Sequence, residues 1–326
     1  MGYKKDFKIN IVRLTTAVAQ KGFGTILILS TEKQFETTVY TSIEDVIDDF
    51  EPGTDTYRLA SNLFSQGVDK ILIAGEDGTI ADNLLTKLSQ VTRGEHEFFG
   101  LVSTDNSSTT VDALSEWVET QEKVYAVTST NTAITSESNH TMIAYHPTQK
   151  LAEMALAYML TKDIGSVDLD GKAIGGVLPS EISATEYEEL KDNNINVALE
   201  KYGNIVIDGG NMAGGEKIDI ILAEFWIKLR MEEDLAQLKM NTPKIPYTDR
   251  GVALLLDVAN TRLKLAVKQE LIALDADDIP EYSVTYLPVN EVPQADRVNR
   301  EYNYVEWTAR LAGSIRKGII KGRLTV

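Results

Sequence analysis

Between residues 25 and 160 short apolar runs alternate with longer amphipathic ones, and that alternation leaves few folds open. The runs 26–29, 71–74, 98–102, 124–128 and 141–145 are apolar nearly throughout, as strands buried on both faces are. The stretches between them carry helical spacing. One covers 43–50 behind Ser42 as N-cap, and a second, with Asp55 as its expected N-cap, carries Leu59, Leu63 and Phe64. Others cover 80–92, with Leu84, Leu85, Leu88 and Val91, and 111–120, with Leu114, Trp117 and Val118. A further helix, opened by Pro147, ends near Leu160. Strands separated by helices of this length predict βαβ crossovers and an open, largely parallel sheet. The expected fold class is α/β, or α+β over the whole chain: an open βαβ-type sheet domain, a helical C-terminal part, and extended N- and C-terminal β-arms.

Residues 163–215 predict a loop and short strand at 163–176, a short acidic helix at 184–193, and a hairpin of 197–199 with 205–207 around Tyr202-Gly203-Asn204. The glycine-rich GGNMAGG at 209–215 closes this segment. Two amphipathic helices follow, 216–240 and 249–271, separated by Pro243 and Pro246, which forbid one continuous helix. Asp249 is the expected N-cap of the second, and strand character returns at 302–311.

The two ends stand apart. Residues 6–14 place Phe7, Ile9 and Ile11 on one side of a strand, with Lys8 and Asn10 on the other. The tail alternates as well, with Ile320, Leu324 and Val326 facing away from Lys321 and Arg323, and with Ile315 and Ile319 just before them. A lone strand leaves its backbone groups unpaired, so each must add to something else. Its length of 326 residues gives a prior of two or three domains at roughly 100–200 residues each. The expected division is an N-terminal arm and linker at 1–24, an α/β domain at 25–162, a connecting segment at 163–215, a helical core at 216–313 and a C-terminal arm at 314–326.

Charge sharpens the contrast. The net charge is −17, yet Lys4, Lys5, Lys8, Arg13 and Lys21 face only Asp6 in residues 1–21, and Arg310, Arg316, Lys317, Lys321 and Arg323 face no acid in 310–326. Basic ends thus flank an acidic body, and docking of the ends on acidic surface follows as an expectation. An acidic body also opposes direct binding of nucleic acid. No leader pattern is read at the N-terminus and no run approaches the roughly 18 apolar residues of a membrane helix, so a soluble chain without membrane insertion is expected.

Candidate chemistry is sparse. The chain has no cysteine, which excludes disulfides and thiolate metal sites, and only three histidines. His96, His140 and His146 lack the i, i+4 spacing of a zinc helix and read as surface residues. GGNMAGG ahead of a helix suggests a phosphate cradle, but it lacks the endings of the known nucleotide loops and lies among Asp208, Glu216 and Asp219; a flexible turn is the plainer reading. Asp168-Leu169-Asp170-Gly171 opens like a calcium loop, but Lys172 stands where an oxygen ligand belongs, so it reads as a turn. The expectation is no enzyme, no catalytic residue, no cofactor and no metal.

The early strand and turn to Gly22-Phe23-Gly24, the segment DGGNMAGGEKIDIILAEFWIKLRMEEDLAQLKMNTPKIPYTDRGV at 208–252, and the ending ARLAGSIRKGIIKGRLTV at 309–326 together resemble contractile tail sheath proteins of myophages and phage-tail-like bacteriocins. The resemblance implies a virion structural protein that assembles in the host cytoplasm into the particle's tail. Its partners would be itself, in hexameric rings stacked as a helical polymer, together with the tail tube, baseplate and tail terminator proteins. The arms would cross to neighbouring copies and add strands there, carried by Phe7, Ile9, Ile11, Ile315, Ile319, Ile320, Leu324 and Val326 with Lys321 and Arg323. Contraction would then drive the tube through a cell envelope. Lys228 and Arg230 are the candidate tube-facing residues. The competing readings are a nucleotide- or sugar-binding α/β enzyme, suggested by the βα alternation and the glycine loop, and another component of the tail.

Overall fold

The structure is a computed structural model that describes residues 24–94, 96–164 and 167–319. The expectations placed on Phe7, Ile9, Ile11, Ile320, Lys321, Arg323, Leu324 and Val326 lie outside the described residues.

Chain order runs β1 (Ile26–Ser30), β2 (Phe35–Tyr40), α1 (Ile43–Ile47), α2 (Asp55–Ser65), β3 (Ile71–Gly75), α3 (Ala81–Arg93), β4 (Gly100–Ser103), α4 (Ser108–Glu119), β5 (Val124–Ser129), β6 (Thr141–Tyr145) and α5 (Leu151–Leu160). It continues with α6 (Ala184–Asp192), β7 (Val197–Lys201), β8 (Asn204–Asp208), α7 (Ile218–Asn241), α8 (Asp249–Lys268), β9 (Tyr282–Tyr286), α9 (Gln294–Asn299) and β10 (Val305–Ala309).

The six-stranded sheet has the order β2-β3-β1-β4-β5-β6, parallel except for β2 at the edge. The runs ILILS and ILIAG are apolar on both sides because both faces are covered. Ile26, Ile28, Ile71, Ile73 and Ala126 pack toward α2, α5 and α7, while Leu27, Leu29, Leu72, Leu101 and Val127 pack toward α3 and α4. The first of these cores continues through α7 to Leu263, Ala266 and Ile272, so the C-terminal helices share the sheet's interior.

The outer edge of β6 is sealed. Asn196 takes the amide of Tyr145 at 2.9 Å and gives its own amide to the Ile143 carbonyl at 3.0 Å, and the Ala213 amide reaches the Thr141 carbonyl at 2.8 Å. The glycine-rich segment is therefore a fixed edge cover, held by specific bonds, and the expected flexibility is not what the structure has.

Several local readings shift. Residues 167–176 form no strand. Thr54 and Thr248, each one residue earlier than expected, cap α2 and α8 through their hydroxyls. Asp249 instead accepts the Val289 amide at 2.9 Å. Helix α5 begins at Leu151, not at Pro147, because the buried His146 organises the turn before it. Its Nδ1 accepts the amides of Thr148 at 3.1 Å and Gln149 at 2.9 Å, and its Nε2 donates to the Leu178 carbonyl at 3.0 Å. His140 is half-buried, with its ring 4.8 Å from that of Phe225, so neither histidine is the surface residue expected.

At the junction of the two long helices, Gly251 meets the Pro246 carbonyl so closely that no Cβ fits. Arg262 of α8 donates through Nε at 2.9 Å and Nη2 at 2.6 Å to Asp234 of α7, and its guanidinium lies 5.1 Å from the Trp226 ring. Strand character at 302–311 narrows to β10, which pairs antiparallel with β9, a strand the sequence reading did not place. The expected C-terminal strand is absent from the described residues 314–319, and its remainder lies outside them.

Candidate functional site

An open parallel sheet normally binds ligands where the strand order reverses, beyond the carboxyl ends of the strands. Here that point lies between β1 and β4, and it is closed. The Thr31 and Thr104 hydroxyls are 2.9 Å apart, and the Thr31 amide donates to the same Thr104 oxygen at 2.8 Å. The helix N-termini around it, where an anion would sit, hold the chain's own carboxylates. Glu32 accepts the amides of Asp55 at 2.9 Å and Thr56 at 3.1 Å at the start of α2. Asp105 accepts the Ser107 amide at 3.2 Å and its hydroxyl at 2.7 Å at the start of α4. Glu153, fully buried in the first turn of α5, accepts the Thr128 amide at 3.2 Å, and burial pushes its carboxyl above the usual carboxylate range.

The two motifs that sequence reading set aside as turns come together, and they hold a cation. The Arg316 guanidinium grips Asp168 with Nε on one carboxylate oxygen at 2.8 Å and Nη2 on the other at 2.5 Å. Nη1 donates to the Gly209 carbonyl and to Asn211 Oδ1, the latter at 3.3 Å, and Nη2 also reaches the Gly210 carbonyl at 3.2 Å. All five N–H donors of the guanidinium thus have acceptors. Asp219 Oδ1 lies 3.6 Å from Nη2. Burial and the neighbouring Asp168 charge push the Asp219 carboxyl up, and Arg316 pulls it back. Gly210 has φ +66°, and a Cβ there would crowd Arg316 Nη2 at 3.0 Å. The loop that suggested a phosphate cradle therefore turns carbonyls, not amides, toward its occupant.

The β9–β10 hairpin carries the second feature. The Leu287 amide donates to the Tyr304 carbonyl at 3.2 Å and the Arg310 amide to the Glu281 carbonyl at 2.9 Å. Antiparallel bonding alternates, so Val284 and Tyr286 turn their amides and carbonyls outward on β9, as do Val305, Trp307 and Ala309 on β10, while Tyr282 on the same side gives its amide to the Pro280 carbonyl at 3.0 Å. Among the described residues no further strand pairs with either edge. Beside β10, Met231, Leu235, Ile245, Leu255, Val258 and Trp307 line an apolar groove of about 450 Å³.

The remaining expected residues are dispersed. Ile315 and Ile319 flank Arg316 and point into solvent at 92% and 87% exposure. Lys228 is half exposed and paired with Glu122, whereas Arg230 is 14% exposed and bonded to Glu233 at 2.7 Å. Among the described residues no cluster of side chains could hold a metal ion, and no helix is long and apolar enough to cross a membrane.

No protein-family model and no curated protein sequence matches the chain. Solved structures do. A chain of the anti-feeding prophage helical sheath, in its contracted state, aligns over 100% of this chain and 99% of its own length, with a TM-score of 0.72 and 13% identity. This chain has the contractile sheath fold. A chain of the anti-feeding prophage baseplate shares that sheath fold over 100% of both chains, with a TM-score of 0.75 and 13% identity. The sheath tail protein from Desulfitobacterium hafniense shares it more distantly, with a TM-score of 0.59 and 10% identity over 95% of this chain and 99% of that one.

Proposed function

We propose that this chain is the repeating subunit of a contractile tail sheath. It polymerises with copies of itself as stacked hexameric rings around an inner tube, and shortening of the polymer drives the tube through a cell envelope. The observation that carries this reading is the sheath fold running the full length of the chain. The hairpin supplies a mechanism. Its open edges accept the N- and C-terminal arms of neighbouring copies as added strands, and an arm laid on β10 places its apolar side over the adjacent groove. The body at 25–313 is the part that moves as a unit, and the arms at 1–24 and 314–326 tie units together. Baseplate and terminator proteins bound the polymer at its ends, in a particle assembled in the host cytoplasm. Lys228, at the surface of α7, is better placed to meet the tube than Arg230, whose guanidinium is taken by Glu233.

The role is mechanical rather than catalytic, and the closed crevice between Thr31 and Thr104 supports that. Negative-stain microscopy of concentrated protein tests the reading. Full-length protein forms hollow tubes of regular width, alone or on added inner tube, and removal of residues 317–326 leaves a folded monomer that forms none. Tubes of normal width from that truncation would overturn the role of the arm. Failure of the intact chain to assemble even on its tube would overturn the sheath.

A further inference from the structure

The path of the chain after β10 has a sharp change at one residue. Through Ala312 it is pinned to the body: the Ala273 amide donates to the Arg310 carbonyl at 2.8 Å, and the Ala312 amide to the Leu271 carbonyl at 2.9 Å. Ser314 and Ile315 are exposed, Arg316 turns inward, and 317–319 are exposed again. Arg316 is the last described residue bonded to the body. It is also bonded to parts of the sequence more than a hundred positions away, with a separation of 148 to Asp168 and 107 to Gly209.

We infer that Arg316 in its Asp168–Asp219–Gly209–Gly210–Asn211 socket is the fixed root of the C-terminal arm, so that the part free to reach a second copy starts at Lys317, and that the socket aims it. This rests on the sheath reading for its consequence, though not for its geometry. The socket is specific for a planar fork. Asp168 takes two parallel N–H bonds, and the glycine carbonyls take donors from the other edge, which a lysine ammonium cannot reproduce. Holding Arg316 fixes the direction in which the chain leaves the body, and it presents Ile315 and Ile319 on the outside as the first apolar side chains a neighbouring copy meets. An arm that departs in a fixed direction loses less freedom on binding than one that swings from Gly313. Arg316 is thus a positioning residue: it contributes to assembly through the segment that follows it.

The test uses the full chain with Arg316→Lys, and with Arg316→Gln combined with Asp168→Asn, which removes the carboxylate charge that a lone Arg316→Gln would leave buried. Hydrogen exchange is followed in dilute, unassembled protein, and the critical concentration for tube formation is measured separately. Both variants keep the parental melting behaviour of the sheet, speed exchange of the hydrogen-bonded amides of Ala312, Gly209 and Asn211 beside the socket, and raise the critical concentration by about tenfold or more, the expected effect of losing a preorganised segment. Unchanged exchange in the double variant overturns the root, whatever assembly does. Faster exchange with an unchanged critical concentration keeps the clamp but overturns its part in assembly. If the parent forms no tubes even on added inner tube, the sheath reading fails separately, and the exchange comparison alone decides the clamp.

Discussion

Thr31 and Thr104 meet across the gap between β1 and β4, their hydroxyls 2.9 Å apart, at the place where a doubly wound sheet would otherwise admit a ligand. The expected outcome is that millimolar ATP, NAD or common sugars leave the melting temperature unchanged. A ligand at a hundred times its dissociation constant would stabilise by about 2.7 kcal/mol, a shift easily seen by scanning fluorimetry. A rise of several degrees with any of them would revive the enzyme reading.

The hairpin edge gives a paired prediction. Val284→Pro removes an amide that points outward, so the hairpin stays paired and the monomer folded, melting only slightly lower because the Val284 side chain packs on the core, while tube assembly is lost. Thr285→Pro removes an amide that pairs with Glu306, so the hairpin itself opens and stability falls by about 1 kcal/mol or more. Circular dichroism and microscopy on the two variants separate these effects. Equal assembly by Val284→Pro and the parent would show that the β9 edge is not used.

His146 makes stability depend on pH. Its Nδ1 accepts two amides, so a proton there would set an N–H against two others, and burial holds the imidazole below its ordinary range. The folded group binds protons less readily than the unfolded one. Its stabilisation is therefore complete above the unfolded value of about 6.5 and is lost as pH falls below it. Chemical denaturation at pH 7.5 and at pH 5 should show the loss, and His146→Asn should be less stable at the higher pH but show a flatter change between the two.

Arg262 ties α8 to α7 beside their shared apolar core. Arg262→Ala removes a charged hydrogen-bonded contact with Asp234 and the cover over Trp226, and should cost about 1–3 kcal/mol in urea unfolding. Arg262→Lys should recover less than half of that, because an ammonium keeps the charge without the planar fork.

Sequence pattern was most legible where burial is symmetrical. The runs at β1, β3 and β5 are apolar on both faces and announced themselves. Strand β2, FETTVY, is half-exposed at the antiparallel edge, and β9, YSVTY, faces solvent along much of its length, so neither run carries the continuous apolar signal. The caps slipped by one residue because Thr54-Asp55 and Thr248-Asp249 each offer two cap-competent side chains in succession. The glycine-rich segment was recognisable as special, but not its polarity: only the fold shows that its carbonyls, not its amides, face the occupant. Arg316 carried no local signal, since each of its partners is distant in sequence, and a basic tail reads the same whether one arginine is anchored or none is.

Asn196 and Ala213 occupy the outer edge of β6, and this bears on how the protein can be stockpiled. Any concentrated solution of this chain crowds together copies of a six-stranded sheet. An uncovered β6 would let those sheets zip together side by side, in any register and without limit. With that border occupied, this side of the sheet offers crowded copies no register in which to pair.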